Sequence, residues 1–468
     1  MFTRENSVYN RSLFWDLSEM LDHNHELYLL ANKIDWAIFN SFEKFYRNFG
    51  RPSVSVRRLT GLLILKHLRN VSDEEIVKQY KENAYYQYFC GESAFSIKEP
   101  CSATELVEFR KRIGESGIEL ILKESIRVNV EEDDKNNQGN GKRGRKAEKD
   151  QTIFIDSTVQ EKNITFPTDS KLLNKVIKYC YKVADKSGIK LKQTYEKEVK
   201  ELKKVQRWRG RSHMKKKVAA ADRRMRTIAG RLVREILRKI NDDSAYIDLM
   251  DICNKFVKNE KYNGHKIYSI HEPDTFCICK GKDHKKYEFG NKVSIARTYD
   301  GLIVGALSFR NEYDGHTLAP QLDQVNRLYS KMVKYAACDR GYRGVNEING
   351  VKILIPDTPK KTDNQYQKNK KHRLFCKRAG IEPVIGHCKS DHRLGRNFYK
   401  GVYGDKINIM LAAAAFNFKR AAAAIFLGLI FYICYNAKNM ANLLTNLCRV
   451  STRKVTTSLV GHLEFRFQ

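Results

Sequence analysis

Residues 152–159 read Thr-Ile-Phe-Ile-Asp-Ser-Thr-Val, a β-branched and aromatic run that predicts a buried strand. Within this run, Asp156 directly follows three apolar residues. Burying a carboxylate beside a core is costly unless a metal ion or a charged partner holds it. The run therefore predicts a sheet and marks Asp156 as a candidate functional residue. Taken alone, Asp156 is explained equally well as a turn or cap residue.

A hairpin is predicted later in the chain. The segments Lys292–Arg297 and Leu302–Phe309 are rich in apolar and β-branched residues, and they flank Tyr299-Asp300-Gly301. Glycine suits such a turn because it adopts positive φ values at little cost. These residues predict a second pair of strands.

A second aspartate also ends a predicted strand. A helix-like segment, Pro320–Leu328, leads to a short apolar strand, Tyr335–Cys338, which ends at Asp339. A further strand, Val351–Ile355, is followed by a polar loop and a helical segment. The order of strand, hairpin, helix, strand, strand and helix predicts a mixed α/β sheet. Two aspartates on strands of one sheet weaken the turn-or-cap explanation for either of them.

The stretch between the first strand and the hairpin, about residues 170–260, predicts a basic helical insertion. Residues 200–239 carry 16 Lys and Arg against three acids, a net charge of +13 over 40 residues. Ile228, Leu232 and Ile236 recur every four positions, which gives the helix one packing face and leaves the arginines outside it. A solvated helix face is the plain alternative, but this charge density favours contact with DNA phosphates. The candidate DNA-binding residues here are Arg223, Arg224, Arg226 and Arg231.

The composition limits the partners. The chain has 468 residues, 42% of them hydrophobic, enough for about two to four packed units. With 86 Lys and Arg against 54 Asp and Glu, its formal charge of +32 favours nucleic acid or an anionic membrane surface as a partner. The longest apolar run, Ala421–Tyr435, is shorter than the ~20 residues that a membrane span needs, so we expect no membrane anchor.

The N-terminus and the cysteines indicate a reducing compartment. Met1–Tyr9 carries acidic and polar residues where a secretion signal is basic and apolar, so we expect a cytoplasmic protein. Eleven scattered cysteines then predict free thiols. A zinc site at His265, Cys277, Cys279 and His284 is disfavoured, because Cys-x-Cys is tighter than the usual spacing of zinc ligands.

Two capping boxes, Ser72 with Glu75 and Ser102 with Glu105, mark helix starts in the N-terminal region. Short helices on a basic chain are compatible with a DNA-binding helix-turn-helix and equally with ordinary helix pairs. Residues 131–149 contain a single apolar residue, which predicts a mobile linker. The predicted domains are a helical DNA-binding region over 1–115, a disordered charged linker over 116–150, the α/β core over 151–420, and an atypical apolar tail over 421–468.

Five sequence blocks resemble those of the DDE transposases of bacterial insertion sequences. They read IDSTVQEKNITFPTD, YEFGNKVSIA, NEYDGHTL, ACDRGYRG and IEPVIGHCK, in the family's order, and they extend from Ile155 to Lys389. A weaker likeness covers residues 51–91. The resemblance implies an RNase H-like core with a helical insertion and a helical N-terminal domain. In that fold the first and fourth strands carry the first two catalytic aspartates, here Asp156 and Asp339.

The last block of the family carries a signature of Tyr, Arg, Glu and Lys at fixed spacings. The chain reads Phe375, Arg378, Glu382 and Lys389 at these positions, which implies the Tyr-Arg-Glu-Lys group of the insertion-sequence four/five superfamily. Phe replaces Tyr, so a phenol hydroxyl is absent or is supplied elsewhere. Spacings of four and seven residues are near whole helical turns, so one helix face would carry the last three. Pro383 favours the alternative that a helix begins there instead.

The resemblance implies a two-metal mechanism. Asp156, Asp339 and Glu382 would hold two divalent ions roughly 3.5–4 Å apart, one activating water or a 3′-hydroxyl and the other stabilising the leaving oxygen. Hard oxygen ligands favour Mg²⁺, with Mn²⁺ as a substitute. Arg378 and Lys389 would neutralise or position the phosphates near the cut. We therefore expect an enzyme that cleaves strands at element ends and transfers them into target DNA.

The implied partners are double-stranded DNA, as terminal inverted repeats and as target DNA, and a second copy of the chain in a homodimer. The implied location is the bacterial cytoplasm, in association with the nucleoid. Tyr342 and Arg343, just after Asp339, either contact DNA or belong to a glycine-rich turn. The stretch after Arg420 departs from the family, as an added helix or as the product of a shifted reading frame.

Two other functions are compatible with the same residues. The first is a non-catalytic or decayed DNA-binding protein, against which the presence of all three carboxylates argues. The second is an RNase H-like nuclease without strand transfer, which would show no preference for paired terminal repeats.

Overall fold

The computed structural model describes six segments of the chain: residues 16–46, 53–137, 151–240, 245–279, 286–355 and 362–425. The chain divides into two compact units. One comprises Met1–Gly114, Lys123–Gly141 and Ala415–Gln468, and the other comprises Glu115–Leu122 and Lys142–Ala414. Within the six segments, no helix combines the length and the apolar character that crossing a membrane would require.

The N-terminal part of the described chain is helical, as predicted. Its elements are α1 (Leu17–Met20), α2 (Glu26–Lys33), a 3-10 helix (Trp36–Phe45), α3 (Val56–Leu68), α4 (Asp73–Glu82), α5 (Ala84–Phe89) and α6 (Ala103–Asn137). Both predicted capping boxes mark helix starts. The hydroxyl of Ser72 accepts the backbone N–H of Glu75 at 3.1 Å. The reciprocal bonds between Ser102 and Glu105 measure 2.6 and 3.2 Å.

The course of α6 corrects the predicted linker. Gly114 breaks the helix with a φ of 70°, a value that favours glycine. Beyond this kink the helix continues to Asn137. It buries apolar side chains at helical spacing, among them Ile118, Ile121, Leu122 and Ile126. The prediction of a disordered linker over 116–150 is therefore wrong for 116–137, which is helical and has a packing face over residues 118–128. Residues 138–150 lie outside the described segments.

One mixed sheet forms the centre of the second unit. Its strands are β1 (Thr152–Lys162), β2 (Phe276–Cys279), β3 (Tyr287–Thr298), β4 (Ile303–Phe309), β5 (Tyr335–Ala337), β6 (Glu347–Ile348), β7 (Val351–Leu354) and β8 (Arg396–Asn397). Their order is β2-β3-β1-β5-β7-β6, while β4 also pairs with β3 and β8 with β1. β3 is antiparallel to β1 and β4, whereas β5 is parallel to β1 and β7. This arrangement confirms the predicted mixed α/β fold and is consistent with an RNase H-like core.

The predicted hairpin is confirmed, and Gly301 closes its turn with a φ of 93°. The helix before β5 begins earlier than predicted: α11 spans Asp314–Leu328, so Pro320 lies inside it and is not its start. A proline removes one backbone donor, and tertiary packing over the rest of α11 offsets that loss. The short strands β2, β6 and β8 were not predicted, because two to four residues carry too little periodic signal.

The predicted helical insertion between β1 and the hairpin is also confirmed. It consists of α7 (Asp169–Lys186), α8 (Glu196–Gln206), α9 (Lys215–Leu237) and α10 (Ile247–Lys258). Ile228, Leu232 and Ile236 of α9 are fully buried, and they pack in a core shared with apolar residues of α7, α8 and α10. The stripe that the sequence indicated is thus the packing face of the insertion.

After β7, the described part of the chain contains three further helices. α12 (Gln365–Ala379) and α13 (Ile381–Asp391) precede β8, and α14 covers residues 401–425. Ala421 and Ala422 are buried within α14, so the predicted tail boundary after residue 420 falls inside a helix. Residues 426–468 of the predicted tail lie outside the described segments.

Candidate active site

Strand pairing sets Asp156 and Asp339 side by side. β1 and β5 are parallel neighbours, and Phe154 of β1 is in register with Ala337 of β5. Each aspartate lies two residues beyond its member of this pair. The two carboxylates therefore lie at the same level of adjacent strands, the position that the sequence predicted for them.

A helix boundary supplies the third carboxylate. α12 ends at Ala379 and α13 begins at Ile381, so Arg378 lies at the end of one helix and Glu382 in the first turn of the next. The prediction that both lie on one face of a single helix is wrong. The alternative of a new helix near Pro383 is nearly right, because proline is tolerated in a first helical turn. A carboxylate in that turn is also favoured by the helix dipole.

The guanidinium of Arg378 joins all three carboxylates. Its Nη1 lies 3.1 Å from Oδ1 of Asp339, and its Nη2 lies 3.4 Å from Oε1 of Glu382 and 3.9 Å from Oδ2 of Asp156. We call these four residues the open cluster, because the side chains of Asp339 and Glu382 are 50% and 68% exposed. Residues from β1, the end of β5 and two helices thus converge on one cation.

Burial perturbs the acid that lies deepest in the open cluster. Burial raises the pKa of Asp156 to about 6, although Arg378 and the backbone N–H of Ser157, at 2.8 Å, favour its charged form. Burial also disfavours the charge on Arg378, but Asp156 and Asp339 hold the pKa of that guanidinium above its usual value. A carboxyl whose pKa is raised by burial beside two further acids is typical of a functional site.

The donor set of the open cluster suits a hard divalent cation. Its three carboxylates outnumber its single positive charge, and carboxylate oxygens are the ligands that Mg²⁺ prefers. Across the described residues, no three His, Cys, Asp or Glu side chains converge closely enough to hold a metal as they stand. Arg378 lies between the carboxylates, so metal binding would require its guanidinium to shift.

The remaining signature positions lie on the same two helices. Phe375 is 55% exposed on α12, and Lys389 is half-buried on α13, seven residues beyond Glu382. α12 buries none of its side chains. It has no acidic residue and carries Lys368, Lys370, Lys371, Arg373, Lys377 and Arg378. A helix with no apolar packing face and this charge is suited to an anionic partner.

The predicted DNA-binding arginines of the insertion fall into two pairs. Arg224 is bound to Glu198, with its Nη2 at 3.0 Å, and Arg226 donates to backbone carbonyls at the end of α10 at 3.0 and 3.2 Å. Arg223 and Arg231 are exposed and form no ion pair with any described residue. The structure thus gives Arg224 and Arg226 carboxylate and carbonyl partners within the insertion. Arg223 and Arg231 are exposed, and Nη1 of Arg231 donates to the phenol oxygen of Tyr195 at 3.2 Å.

The two candidate DNA contacts after Asp339 differ in exposure. Tyr342 is 1% exposed, so the interpretation that its ring stacks on DNA is wrong. Arg343 is exposed and remains a candidate contact. Among the zinc candidates, His265 has other contacts: its Nε2 donates to the carbonyl oxygen of Pro273 at 2.8 Å, and its ring stacks on Phe276. His284 lies outside the described segments.

Sequence reasoning missed a second charged cluster, which we call the sealed cluster. Lys162 at the end of β1 contacts Asp405 at 2.7 Å and Glu272 at 3.1 Å, and all three side chains are at most 7% exposed. Asp156 and Lys162 are six residues apart on one strand and therefore share a face of the sheet. That alternation was the available signal, but nothing in the sequence pairs Lys162 with an acid more than 200 residues away.

Two family models match the chain. Residues 15–112 match a model described as Transposase domain (DUF772), and residues 255–418 match one described as Transposase DDE domain. The second match includes Asp339, Arg378, Glu382 and Lys389, and Asp156 lies before it. The chain is also 38% identical over 185 residues to the uncharacterized protein ORF8 in the nfe locus of Rhizobium meliloti. That alignment covers 39% of this chain and 84% of the relative. No solved structure matches the chain.

Proposed function

Because this chain belongs to the DDE transposases of insertion sequences, enzymes that act on DNA, we propose that Asp156, Asp339 and Glu382 form its catalytic centre. The proposed reaction is strand cleavage at the ends of the element, followed by transfer of those ends into target DNA. The observation that carries this proposal is the convergence of the three carboxylates, from three distant parts of the sequence, on Arg378.

The proposed cofactor is Mg²⁺, with Mn²⁺ as a substitute, held by Asp156, Asp339 and Glu382. When bound, such cations would supply an activated hydroxyl nucleophile and stabilise the leaving oxygen. Asp156 gains most from this partner, because burial has already raised its pKa to about 6 and a cation favours its charged form. The more exposed carboxylates of Asp339 and Glu382 leave room for a phosphate to approach.

Arg378 has two successive roles in this proposal. Without DNA, its guanidinium offsets part of the negative charge of the three acids and holds them together. With DNA, its planar donors are suited to grip the phosphate that will be cut, and Lys389 adds a second positive charge from α13. The exposed basic surface of α12 would then lie along the backbone of the strand that enters the site.

DNA binding away from the cut is assigned to exposed cations. We propose that Arg223, Arg231 and Arg343 contact phosphates, and that Arg224 and Arg226 support the insertion that presents them. The helical region over residues 1–115 is proposed to recognise the terminal inverted repeats. Cutting two ends in one reaction favours a homodimer on the DNA.

Conservative amide substitutions test the catalytic assignment. Asp156→Asn, Asp339→Asn and Glu382→Gln keep the shape of each side chain but remove the charge that balances the cations. Each should reduce cleavage of a plasmid carrying the element ends by about 100-fold or more, while DNA binding stays within about threefold of wild type. Cleavage by the wild type should require added Mg²⁺ or Mn²⁺ and should stop with a chelator.

Two nearby acids serve as matched controls. Glu347→Gln and Asp391→Asn should cleave at the wild-type rate, because Glu347 is exposed and Asp391 is paired with His387 at 3.3 Å. Full activity in Glu382→Gln, together with loss of activity in either control, would show that the control residue and not Glu382 is the third metal ligand. Cleaved ends that never join a target would favour the nuclease alternative.

A further inference from the structure

The connection between α8 and α9 is an exposed basic tip on the insertion. We define the tip as residues 207–217, which read Arg-Trp-Arg-Gly-Arg-Ser-His-Met-Lys-Lys-Lys. It contains six Lys and Arg and no acid, and every residue except Met214 is exposed. These cations raise the local potential, because only Arg209 among them is paired with an acid of the described residues, Asp222.

The tip is held in place although it is exposed. Arg209 donates to both carboxylate oxygens of Asp222, at 2.6 and 2.8 Å, and also to the hydroxyl of Ser170. Gln206 donates to the same carboxylate at 2.8 Å. Asp222 of α9 and Ser170 of α7 thus anchor the base of the tip, which fixes the positions of the residues beside Arg209.

A tryptophan lies in the middle of this cationic surface. Trp208 is 42% exposed, and the guanidinium of Arg211 covers one face of its ring, 3.7 Å from the ring centroid. A ring left in water forgoes the hydrophobic stabilisation that it would gain when a partner covers it. Tryptophan and arginine are also the residues that most often dominate binding energy at interfaces.

We propose that the tip is a DNA-contact surface on which Trp208 stacks against an exposed base. Arg207 and the lysines at 215–217 contact the flanking phosphates. This inference rests on the proposed function, because strand cleavage creates DNA ends whose base faces are open to stacking. An exposed aromatic ring on a basic tip matches the combination that binds unpaired strands, in which aromatic rings hold bases and cations hold the backbone. A protein partner would need an acidic surface of its own.

Equilibrium binding of the full chain in a chelator, which prevents cleavage, tests the proposal. The probes are a 20-nucleotide single strand of mixed sequence and a relaxed closed-circular plasmid, which offers no base face. Trp208→Ala should weaken binding to the single strand by about 5- to 100-fold. Trp208→Phe should stay within about threefold of wild type, because a phenyl ring also stacks. Plasmid binding by either variant should change less than about twofold.

Two further variants separate stacking from charge and from general surface effects. Replacing the lysines at 215, 216 and 217 by Gln should reduce the slope of log affinity against log salt by about 2 on the single strand, while Trp208→Ala leaves that slope unchanged. Tyr287→Ala is the matched aromatic control, since Tyr287 is 43% exposed with Lys286 5.7 Å from its ring centroid. It should bind as wild type.

Equal single-strand affinity in Trp208→Ala and the wild type would overturn the proposal. So would an equal loss on both probes, or an equal loss in the Phe variant, because each would show that the ring supports the tip instead of stacking. Since the experiment measures binding and not cleavage, its result can be interpreted even if the catalytic assignment is wrong. Stacking without carboxylate-dependent cleavage would indicate a DNA-binding protein, whereas cleavage without stacking would leave the proposed function intact.

Discussion

The open and sealed clusters place acids around a cation on the same face of strand β1, yet they differ in access to solvent. In the sealed cluster, the side chains of Lys162, Asp405 and Glu272 are 1%, 0% and 7% exposed. In the open cluster, Asp339 and Glu382 are 50% and 68% exposed. The charged residues around Lys162, at one end of the strand, are thus buried in the protein. Those around Asp156 are partly exposed at its surface.

The clusters also differ in how many hydrogen bonds and ion pairs their carboxylate oxygens already accept. Asp405 accepts from Asn397 at 2.6 Å, from Asn291 and from Lys162, and Glu272 accepts the N–H of Gly401 at 3.0 Å. These bonds leave little capacity for a metal or a substrate. The open cluster has a single guanidinium for three acids. Free ligand capacity, and not the number of acids, therefore distinguishes a candidate catalytic centre from a structural ion pair.

The largest expected difference between the clusters is in stability. Lys162→Met would leave two buried carboxylates without their cation, so it should lower the free energy of unfolding by about 3–5 kcal/mol. Arg378→Met is the matched change in the open cluster, where water can solvate Asp339 and Glu382. It should change the free energy of unfolding by about 1 kcal/mol or less. The free energy of unfolding of both variants is measured by urea denaturation. Equal losses of stability would contradict the distinction between the sealed and the open cluster.

The sealed cluster should also impose a pH dependence on stability. Burial raises the pKa of Asp405 to about 6 from its ordinary value of 3.8, although Lys162 opposes the shift. Between these pH values the folded protein holds a proton that the unfolded chain has released. Stability from this group is therefore greatest below pH 3.8 and is lost as the pH rises to about 6, by up to about 3 kcal/mol.

Asp405→Asn removes this titration and should make the fall in unfolding free energy between about pH 4 and pH 6 shallower, while the raised pKa of Asp156 keeps part of it. The unfolding free energy of each protein is compared with its own value at pH 8, so that any pH-independent loss of stability caused by the substitution cancels. A slope as steep as that of the wild type would show that Asp405 does not hold the proton.

The smallest expected effect extends the comparison to the insertion, where Arg223 and Arg231 are exposed, whereas Arg224 and Arg226 bind carboxylate or carbonyl groups. Replacing Arg223 and Arg231 together by Gln should reduce the salt slope of duplex binding by about 2, close to 0.9 per lost phosphate contact. Replacing Arg224 and Arg226 should leave the slope nearly unchanged and lower stability instead, because their partners are Glu198 and the carbonyls of α10. If both double substitutions reduced the salt slope equally, the division of these four arginines into DNA-binding and structural pairs would be contradicted.

The sequence was sufficient for the features that local patterns encode. The β-branched run before Asp156 and the apolar run before Asp339 predicted strands, and these strands are parallel neighbours, with Asp156 on one and Asp339 just beyond the end of the other. Glu382 and Arg378 came from a family resemblance, since neither follows a buried strand. The apolar stripe of α9 predicted the packing face of the insertion.

Features that depend on distant partners were not predictable in this way. The central position of Arg378 requires the break between α12 and α13, and the residue at that break, Gly380, has helical dihedral angles that a sequence pattern does not mark as an end. The sealed cluster joins residues from β1 and α14, whose proximity only the tertiary fold creates. For the same reason, charge density alone did not separate the occupied arginines of α9 from the exposed ones.

The most direct test of the central claim is a map of where a bound divalent ion touches the chain. Fe²⁺ in place of Mg²⁺, with ascorbate and peroxide, generates radicals that cut the backbone beside the metal ligands. We predict cuts next to Asp156, Asp339 and Glu382 that added Mg²⁺ suppresses and that Asp156→Asn weakens. Cuts beside Glu272 and Asp405 instead, or cuts that Mg²⁺ leaves unchanged, would contradict the assignment of the open cluster as the metal-dependent catalytic centre.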